Sequence, residues 1–188
     1  MPILTWIGDA SLFPMAPIRI GHGYDLHRLE PCPPDGAGRP FILGGVRFDH
    51  PTGPVGHSDG DAVLHAVTDA VLGAIGEPDI GQLFPDDDPA HVGEDSAVFL
   101  SEAVKRAKAC GYCLGNLDIT IICERPKIGL RKDEMLARIA AILECDRGQV
   151  NLKGKTHEGV DAIGQGRAVE VHVVALLVSA ATQAKDHS

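Results

Sequence analysis

Residues 56–76 have the sequence GHSDGDAVLHAVTDAVLGAIG, and this stretch decides the fold because it contains the clearest helix of the chain. Ser58 is placed to cap the helix, with Asp61 three residues later in the capping-box position, and Gly76 ends it. We predict a helix over about residues 59–75. Apolar residues recur at helical spacing and would form its buried stripe: Ala62, Ala66, Val67, Ala70, Val71 and Ala74.

Strand-like and helical patterns continue on both sides of this helix. We predict strands at residues 18–27, 41–48, 116–123, 150–156 and 168–179, and further helices at residues 95–110 and 130–144. The loop PDIGQLFPDDDP, residues 78–89, is too rich in Pro and Asp for regular structure. The pattern predicts an α+β sandwich, a sheet with helices on one face. We expect this sandwich to form a single domain over residues 18–180, with tails at residues 1–17 and 181–188.

Composition and charge exclude several classes of protein. Apolar residues make up 44% and charged residues 23%, values typical of a soluble globular domain, and no apolar run approaches the roughly 18 residues that span a membrane. The start of the chain lacks the basic region of a secretory signal, so we expect a cytoplasmic protein. A net charge of −9 argues against nucleic acid as a partner. A phosphorylated substrate would therefore need metal ions or backbone amides to hold it.

The five cysteines are an odd number in a chain with no export signal, which favours reduced thiols. Cys110 and Cys113 match the C-x-x-C spacing of redox and zinc sites. Because no second pair is present, two incidental cysteines are the favoured interpretation.

Two short patterns could combine into a metal site. Asp25 and His27 are two residues apart on a predicted strand and point to the same side of it. His65 lies four residues after Asp61 and four before Asp69, on the polar face of the predicted helix. Each pattern alone is more typical of a solvated surface than of a metal site. If the segments meet, one carboxylate and two imidazoles suit zinc and leave a fourth position open.

Two other segments carry candidate ligands for hard cations. The acidic run FPDDDP, residues 84–89, could bind a second cation, although a solvated turn is the favoured interpretation. Glu158 is another candidate ligand for Mg²⁺, and Thr156, two residues earlier, could donate a hydrogen bond to a phosphoryl oxygen.

Four motifs, in this order, make the chain resemble the 2-C-methyl-D-erythritol 2,4-cyclodiphosphate synthases of the non-mevalonate isoprenoid pathway. They are RIGHGYDLHRL (19–29), GHSDGDAVLHAVTDAVLGAIGEPDIGQLFPDDDP (56–89), GNLDITIICERPKI (115–128) and VNLKGKTHE (150–158). The resemblance covers about residues 19–178. It implies a ferredoxin-like fold and a homotrimer with active sites between neighbouring subunits, so that one chain lacks a complete pocket.

The resemblance also implies roles for individual residues. Asp25, His27 and His65 would bind zinc, Glu158 would bind a Mg²⁺ or Mn²⁺ that bridges the substrate diphosphate, and His57 and Thr156 would stabilise the transition state. Of these six residues, all but His65 would also contact the substrate. The resemblance implies further substrate contacts at Ser58, Lys155 and His157. The methylerythritol phosphate site would be lined by Asp79, Ile80, Gly81, Phe84, Pro85, Asp86, Asp87 and Asp88, and the cytidine would be held by Cys123, Glu124, Arg125, Pro126, Lys127, Ile128 and Gly129.

The implied reaction converts 4-diphosphocytidyl-2-C-methyl-D-erythritol 2-phosphate to the 2,4-cyclodiphosphate with release of CMP. One stretch departs from the family pattern: Ala162 and Gln165 stand where an aromatic residue and an arginine are expected, and Arg167 could supply the missing charge.

Two other functions stay open at this point. The same site with a bound water would make a zinc hydrolase, which a hydrolysed product would reveal. Zinc could also merely hold an assembly together. A metal-stripped protein that stays assembled but is inactive would exclude that structural role.

Overall fold

The computed structural model describes residues 17–56, 58–85 and 93–180. The predicted tails therefore lie outside the described residues, except for Pro17. His57, Asp86, Asp87 and Asp88 lie outside them as well.

A mixed sheet forms the centre of the described chain. Its strands are β1 (Ile18–Pro31), β4 (Thr52–Pro54), β5 (Tyr112–Ile122), β6 (Val150–Lys155) and β7 (Ala168–Ser179), in the spatial order β4-β1-β7-β5-β6. Strand β7 pairs antiparallel with β1 and β5, and β6 runs parallel to β5. β2 (Ile42–Leu43) and β3 (Val46–Arg47) form a separate hairpin.

The helices pack on one face of this sheet. They are α1 (Ala62–Ile75), α3 (Ala97–Ala109) and α4 (Lys132–Leu143), while the short helices α2 (Ile80–Leu83) and α5 (Asp161–Gly164) contact α1 and β7 respectively. The predicted apolar stripe of α1 is buried. The α+β sandwich expected of a ferredoxin-like fold, with helices on one side of the sheet, is confirmed.

Helix α1 lies unusually close to β1, and glycine makes this possible. A Cβ atom added at Gly21 would lie 1.8 Å from the carbonyl oxygen of Ala70, and one added at Gly23 would lie 1.8 Å from that of Ala66. The backbones of helix and strand are therefore in direct contact, as glycine allows at such approaches. This contact fixes the distance between side chains that project from β1 and from α1.

The start of α1 differs from the prediction. Ser58 does not cap the helix; Asp61 does, and its carboxylate accepts hydrogen bonds from the amides of Val63 and Leu64. The same carboxylate accepts from Gly44 N at 2.9 Å and Gly45 N at 2.6 Å. Asp61 is thus completely buried and does not share the polar face of His65, because backbone amides from the β2–β3 hairpin satisfy it.

Two local predictions were incomplete for related reasons. The run over residues 41–48 is not one strand but a hairpin that turns at Gly44 and Gly45, both with positive φ. The Pro- and Asp-rich loop contains a helical turn, α2, which Asp79 caps by accepting from Gln82 N at 2.9 Å. In both places short-range hydrogen bonds create structure that composition alone does not reveal.

The other face of the sheet is partly apolar and has no covering element in the described part of the chain. On β1 and β7 this face carries large apolar side chains between 46% and 68% exposed: Ile18, Ile20, Tyr24, Leu26 and Val174. Toward β6 it becomes polar, with Asn151, Lys153 and Lys155 exposed.

All five cysteines are free thiols. Burial raises the pKa of Cys123 to about 12. Burial also raises the pKa of Cys113, the second cysteine of the C-x-x-C pattern. Among the described helices, none is long and apolar enough to cross a membrane.

Candidate metal centre and active site

The structure brings Asp25, His27 and His65 together between β1 and α1. Asp25 Oδ2 lies 3.0 Å from His27 Nδ1 and 3.2 Å from His65 Nδ1. One ligand atom from each of the three lies within 4.8 Å of the other two. The two sequence patterns therefore meet at one point. The sequence predicted a metal site only if the two segments came together, and the structure shows that they do.

Strand alternation and the glycine contact explain this convergence. Asp25 and His27 lie on the odd-numbered side of β1, which faces α1, while Tyr24 and Leu26 point to the uncovered face. Because α1 touches β1 at Gly23, the imidazole of His65 reaches the carboxylate of Asp25 directly.

The charges of the cluster suit a cation. Although burial alone would raise the pKa of Asp25, the neighbouring imidazoles of His27 and His65 lower it well below its ordinary value. Burial alone would lower the pKa of His65, but its hydrogen bond to Asp25 raises that pKa overall. His27 Nδ1 is buried; its 3.0 Å contact with Asp25 Oδ2 lacks hydrogen-bond geometry, and it has no other partner in the described part of the chain. A carboxylate and two imidazoles, one of them with an unsatisfied nitrogen, fit a divalent metal.

Two serines lie on the far side of the His65 ring. His65 Nε2 is 2.9 Å from Ser96 Oγ and 3.2 Å from Ser58 Oγ. Ser96 also contacts Asp59. Ser58 is a predicted substrate contact only through the family resemblance, and Ser96 and Asp59 are not predicted at all, since residues 37 positions apart give no periodic signal.

A cavity of about 490 Å³ opens beside the cluster. Helix α2 forms one wall with Ile80 and Gly81, and Phe84 continues it, in tilted contact with Phe99 at a centroid distance of 4.7 Å. Asp69 of α1 anchors this wall by accepting a 2.8 Å hydrogen bond from Ile80 N. Pro85 follows at the surface.

A second cavity, of about 500 Å³, lies at the ends of β5 and β6. Residues 123–129 line it together with Lys155, Thr156 and Glu158. Thr156 Oγ1 donates to Glu158 Oε1 at 3.1 Å. Glu124 carries a buried carboxylate oxygen with no hydrogen-bond partner among the described residues. Glu158 has a positive φ of 51°, a conformation that side chains rarely adopt and that often occurs at functional sites.

The remaining candidates point elsewhere. His157 Nδ1 pairs with Asp161 Oδ2 at 2.9 Å and is not among the residues that line the second cavity. Arg167 donates to Gln165 Oε1 at 2.8 Å, so the residue that could supply the missing charge binds one of the two residues that depart from the family pattern.

An α+β sandwich that holds a carboxylate and two imidazoles beside an open cavity defines a candidate metal-dependent enzyme. Residues 18–178 match the model of the YgbB family, and the chain therefore belongs to that family.

Its relatives carry a common name. The chloroplastic 2-C-methyl-D-erythritol 2,4-cyclodiphosphate synthase of Oryza sativa is 51% identical over 165 residues, which cover 88% of this chain and 72% of that protein. The synthase of Bordetella petrii is 48% identical over 164 residues, 87% of this chain and 98% of that protein. The structure of IspF from Plasmodium falciparum in complex with CDP is 36% identical with a TM-score of 0.75, covering 86% of this chain and 96% of that one. The resemblance found in the sequence motifs is confirmed, as is the expectation of an enzyme.

Proposed function

We propose that this chain is a cyclase that converts 4-diphosphocytidyl-2-C-methyl-D-erythritol 2-phosphate to 2-C-methyl-D-erythritol 2,4-cyclodiphosphate and releases CMP, a step of isoprenoid precursor synthesis. The observation that carries the proposal is the cluster of Asp25, His27 and His65 beside a cavity, in a chain whose relatives are named for this product.

Zinc is the ion we propose for the cluster. Two imidazole nitrogens and one carboxylate oxygen are a ligand set that zinc accepts, and three protein ligands leave a position for substrate. When bound there, zinc supplies a Lewis acid for a phosphate oxygen. Asp25, which stays ionised because its pKa is lowered, also offsets one of the two positive charges of the ion.

Glu158 is proposed to bind a second cation, Mg²⁺ or Mn²⁺, with the substrate diphosphate. Carboxylate oxygens are suitable ligands for such hard cations. Its left-handed backbone conformation supports a role beyond folding. The hydroxyl of Thr156, which donates to Glu158, lies in the same cavity and is suited to donate to a phosphoryl oxygen. We place the cytidine with residues 123–129 of this cavity, and the CDP complex of the Plasmodium relative supports a nucleotide ligand.

The reaction that we propose needs no general base. An oxygen of the 2-phosphate forms a new bond to the β-phosphorus, the bond from that phosphorus to the bridging oxygen breaks, and its electron pair leaves with CMP. Since the attacking oxygen is already an anion, the chain has to position the groups and offset their charge. This also answers how an acidic chain with a net charge of −9 holds an anionic substrate: through cations rather than a basic patch.

We also propose a homotrimer with active sites between subunits. Two observations support it. The candidate metal cluster and the candidate cytidine segment line two separate cavities with no lining residue in common, as two halves of a shared site would. The apolar part of the uncovered sheet face offers a surface for association. A cytoplasmic location remains the prediction from the sequence; the rice relative is named chloroplastic.

The test is to supply the purified chain with zinc, Mg²⁺ and the cytidyl substrate and to follow the phosphorus NMR spectrum. We expect CMP and a cyclic diphosphate in equal amounts. His65→Ala, which removes one of the three ligands, should bind no zinc and form no product. A linear, hydrolysed diphosphate would instead identify a zinc hydrolase, and a zinc-replete, fully active His65→Ala protein would contradict the metal assignment.

A further inference from the structure

A buried chain of hydrogen bonds lies behind His65, on the side of its ring away from Asp25. Nδ1 faces Asp25 at 3.2 Å, whereas Nε2 lies 2.9 Å from Ser96 Oγ. Ser96 Oγ in turn donates a hydrogen bond to Asp59 Oδ1. If Nδ1 faces a metal, Nε2 carries the proton, and all the bonds run in one direction from the imidazole to the carboxylate of Asp59.

Ser96 does not play the role that its position suggests. It immediately precedes α3, where a serine hydroxyl usually accepts a hydrogen bond from the first turn of the helix. Here the hydroxyl makes no such bond, and the residue is completely buried. Its oxygen instead joins His65 to Asp59. Removing this hydroxyl should therefore leave the start of α3 intact.

Asp59 is held in place independently of His65. Its Oδ1 accepts from Asp61 N at 3.1 Å, and its Oδ2 accepts from Ser96 N at 3.2 Å. The amide of Asp59 donates to Glu94 O at 3.1 Å. Because backbone groups fix this carboxylate, it can fix the orientation of the serine hydroxyl.

We propose that Ser96 and Asp59 are positioning residues for the metal site: they hold the His65 ring as the tautomer protonated at Nε2, so that the Nδ1 lone pair points at the ion beside Asp25. Partners of this kind orient metal-binding histidines and increase their basicity. Ser58 Oγ is also near Nε2, but at 3.2 Å, and it already accepts from Gly60 N. The proposal rests on the metal assignment under the proposed function and not on the cyclase reaction.

The test compares the zinc affinity of Ser96→Ala with that of the wild-type chain by competition with a chelator. Loss of such a partner typically weakens metal binding by about 10- to 100-fold, and we expect a loss in this range. The visible spectrum of the Co²⁺-substituted protein should also change, because the spectrum reports ligand orientation and a purely structural effect on α3 would not alter it.

Ser101→Ala is the matched control. Ser101 lies in the same helix, but its hydroxyl is exposed and donates to Ala97 O at 2.7 Å. We expect its zinc affinity and Co²⁺ spectrum to equal those of the wild type. Asp59→Asn, which removes the charge at similar size, should weaken zinc binding in the same direction as Ser96→Ala and carries the test if Ser96→Ala does not fold.

Several results would overturn the proposal. One is a folded Ser96→Ala or Asp59→Asn protein that binds zinc within about twofold of wild type with an unchanged Co²⁺ spectrum. Another is a loss of affinity in Ser58→Ala but not in Ser96→Ala. A wild-type chain that takes up no zinc would overturn the metal assignment and this proposal with it. A chain that binds zinc as described but forms no cyclic product would contradict the proposed reaction and support the positioning roles.

Discussion

Replacing Gly23 with alanine should separate α1 from β1 and damage both the fold and the metal cluster. The new Cβ would lie 1.8 Å from Ala66 O, so the backbones must move apart by about 1.2 Å to reach even 3.0 Å, a separation below which real Cβ atoms are essentially never found. Overpacking of this kind costs about 1–3 kcal/mol, and a clash with a helix carbonyl belongs at the upper end. For a domain of this size, 3 kcal/mol corresponds to a fall in Tm of roughly 6–12 °C.

The same displacement should reach the metal cluster. Asp25 Oδ2 and His65 Nδ1 are 3.2 Å apart on the two elements that the alanine drives apart. Functional groups need to be held within about 0.5 Å of their working geometry, and a misplacement of about 1 Å can cost roughly 10²-fold in rate. We therefore expect Gly23→Ala to lower turnover by about this factor, and to bind zinc more weakly than wild type.

Thermal unfolding of the metal-free protein, followed by chelator competition and a turnover assay, measures the three effects separately. Gly73→Ala is the control: it lies within α1, but its added Cβ would meet nothing closer than His22 O at 4.0 Å. Alanine there should stabilise the helix by about 0.5–1 kcal/mol and leave zinc binding unchanged. A Gly23→Ala protein with the wild-type Tm and zinc affinity would refute the reasoning that this glycine sets the spacing of the cluster.

Three further predictions concern a cation ligand, pH and assembly. Glu158→Gly should relieve a strained backbone and so raise the Tm slightly, and it should abolish the response of activity to added Mg²⁺. The control is Glu144→Gly, which relieves a similar φ of 53° and should leave the Mg²⁺ titration unchanged. An unaltered Mg²⁺ titration in Glu158→Gly would count against Glu158 as a cation ligand. The raised pKa of His65 stabilises the metal-free fold below about pH 6.5, and this contribution is lost as pH rises through the folded-state pKa, while Asp25, with its lowered pKa, contributes down to well below pH 4. The Tm of metal-free protein should thus fall as the pH rises above about 6.5 in the wild type but not in His65→Ala, and equal slopes would contradict the pairing. Ile20→Glu should dissociate the assembly in size-exclusion chromatography, and an unchanged elution volume would exclude this face as the contact.

The sequence predicted the parts of the site that depend on local periodicity. The alternation of a strand places Asp25 and His27 on one side, and the spacing of alanine and valine in α1 fixes which side of the helix is buried and leaves His65 at the boundary. The close approach of α1 to β1 at Gly23 brings these residues together into one site. A single glycine in a strand does not predict such a contact.

The errors occurred where distant backbone amides decide a side chain's role. Ser58 and Asp61 are both good helix caps by type, and the hairpin amides of Gly44 and Gly45 select Asp61. A sequence signal for that hairpin did exist, since two consecutive glycines between apolar residues favour a two-residue turn. No comparable signal exists for Ser96, whose only sequence context is the start of a helix that its hydroxyl does not cap.

Strand β6 forms one of the two edges of the sheet. None of the described strands pairs with the free side of β6, and unpaired edges of this kind are templates on which other chains aggregate. Lys153 and Lys155 stand exposed on β6. Lys153 is paired with Asp118, so a foreign strand that added there would have to disturb this ion pair and strip water from Lys155, which disfavours growth of the sheet at this edge. The homotrimer that we propose would accordingly use the apolar surface of β1 and β7 rather than this edge.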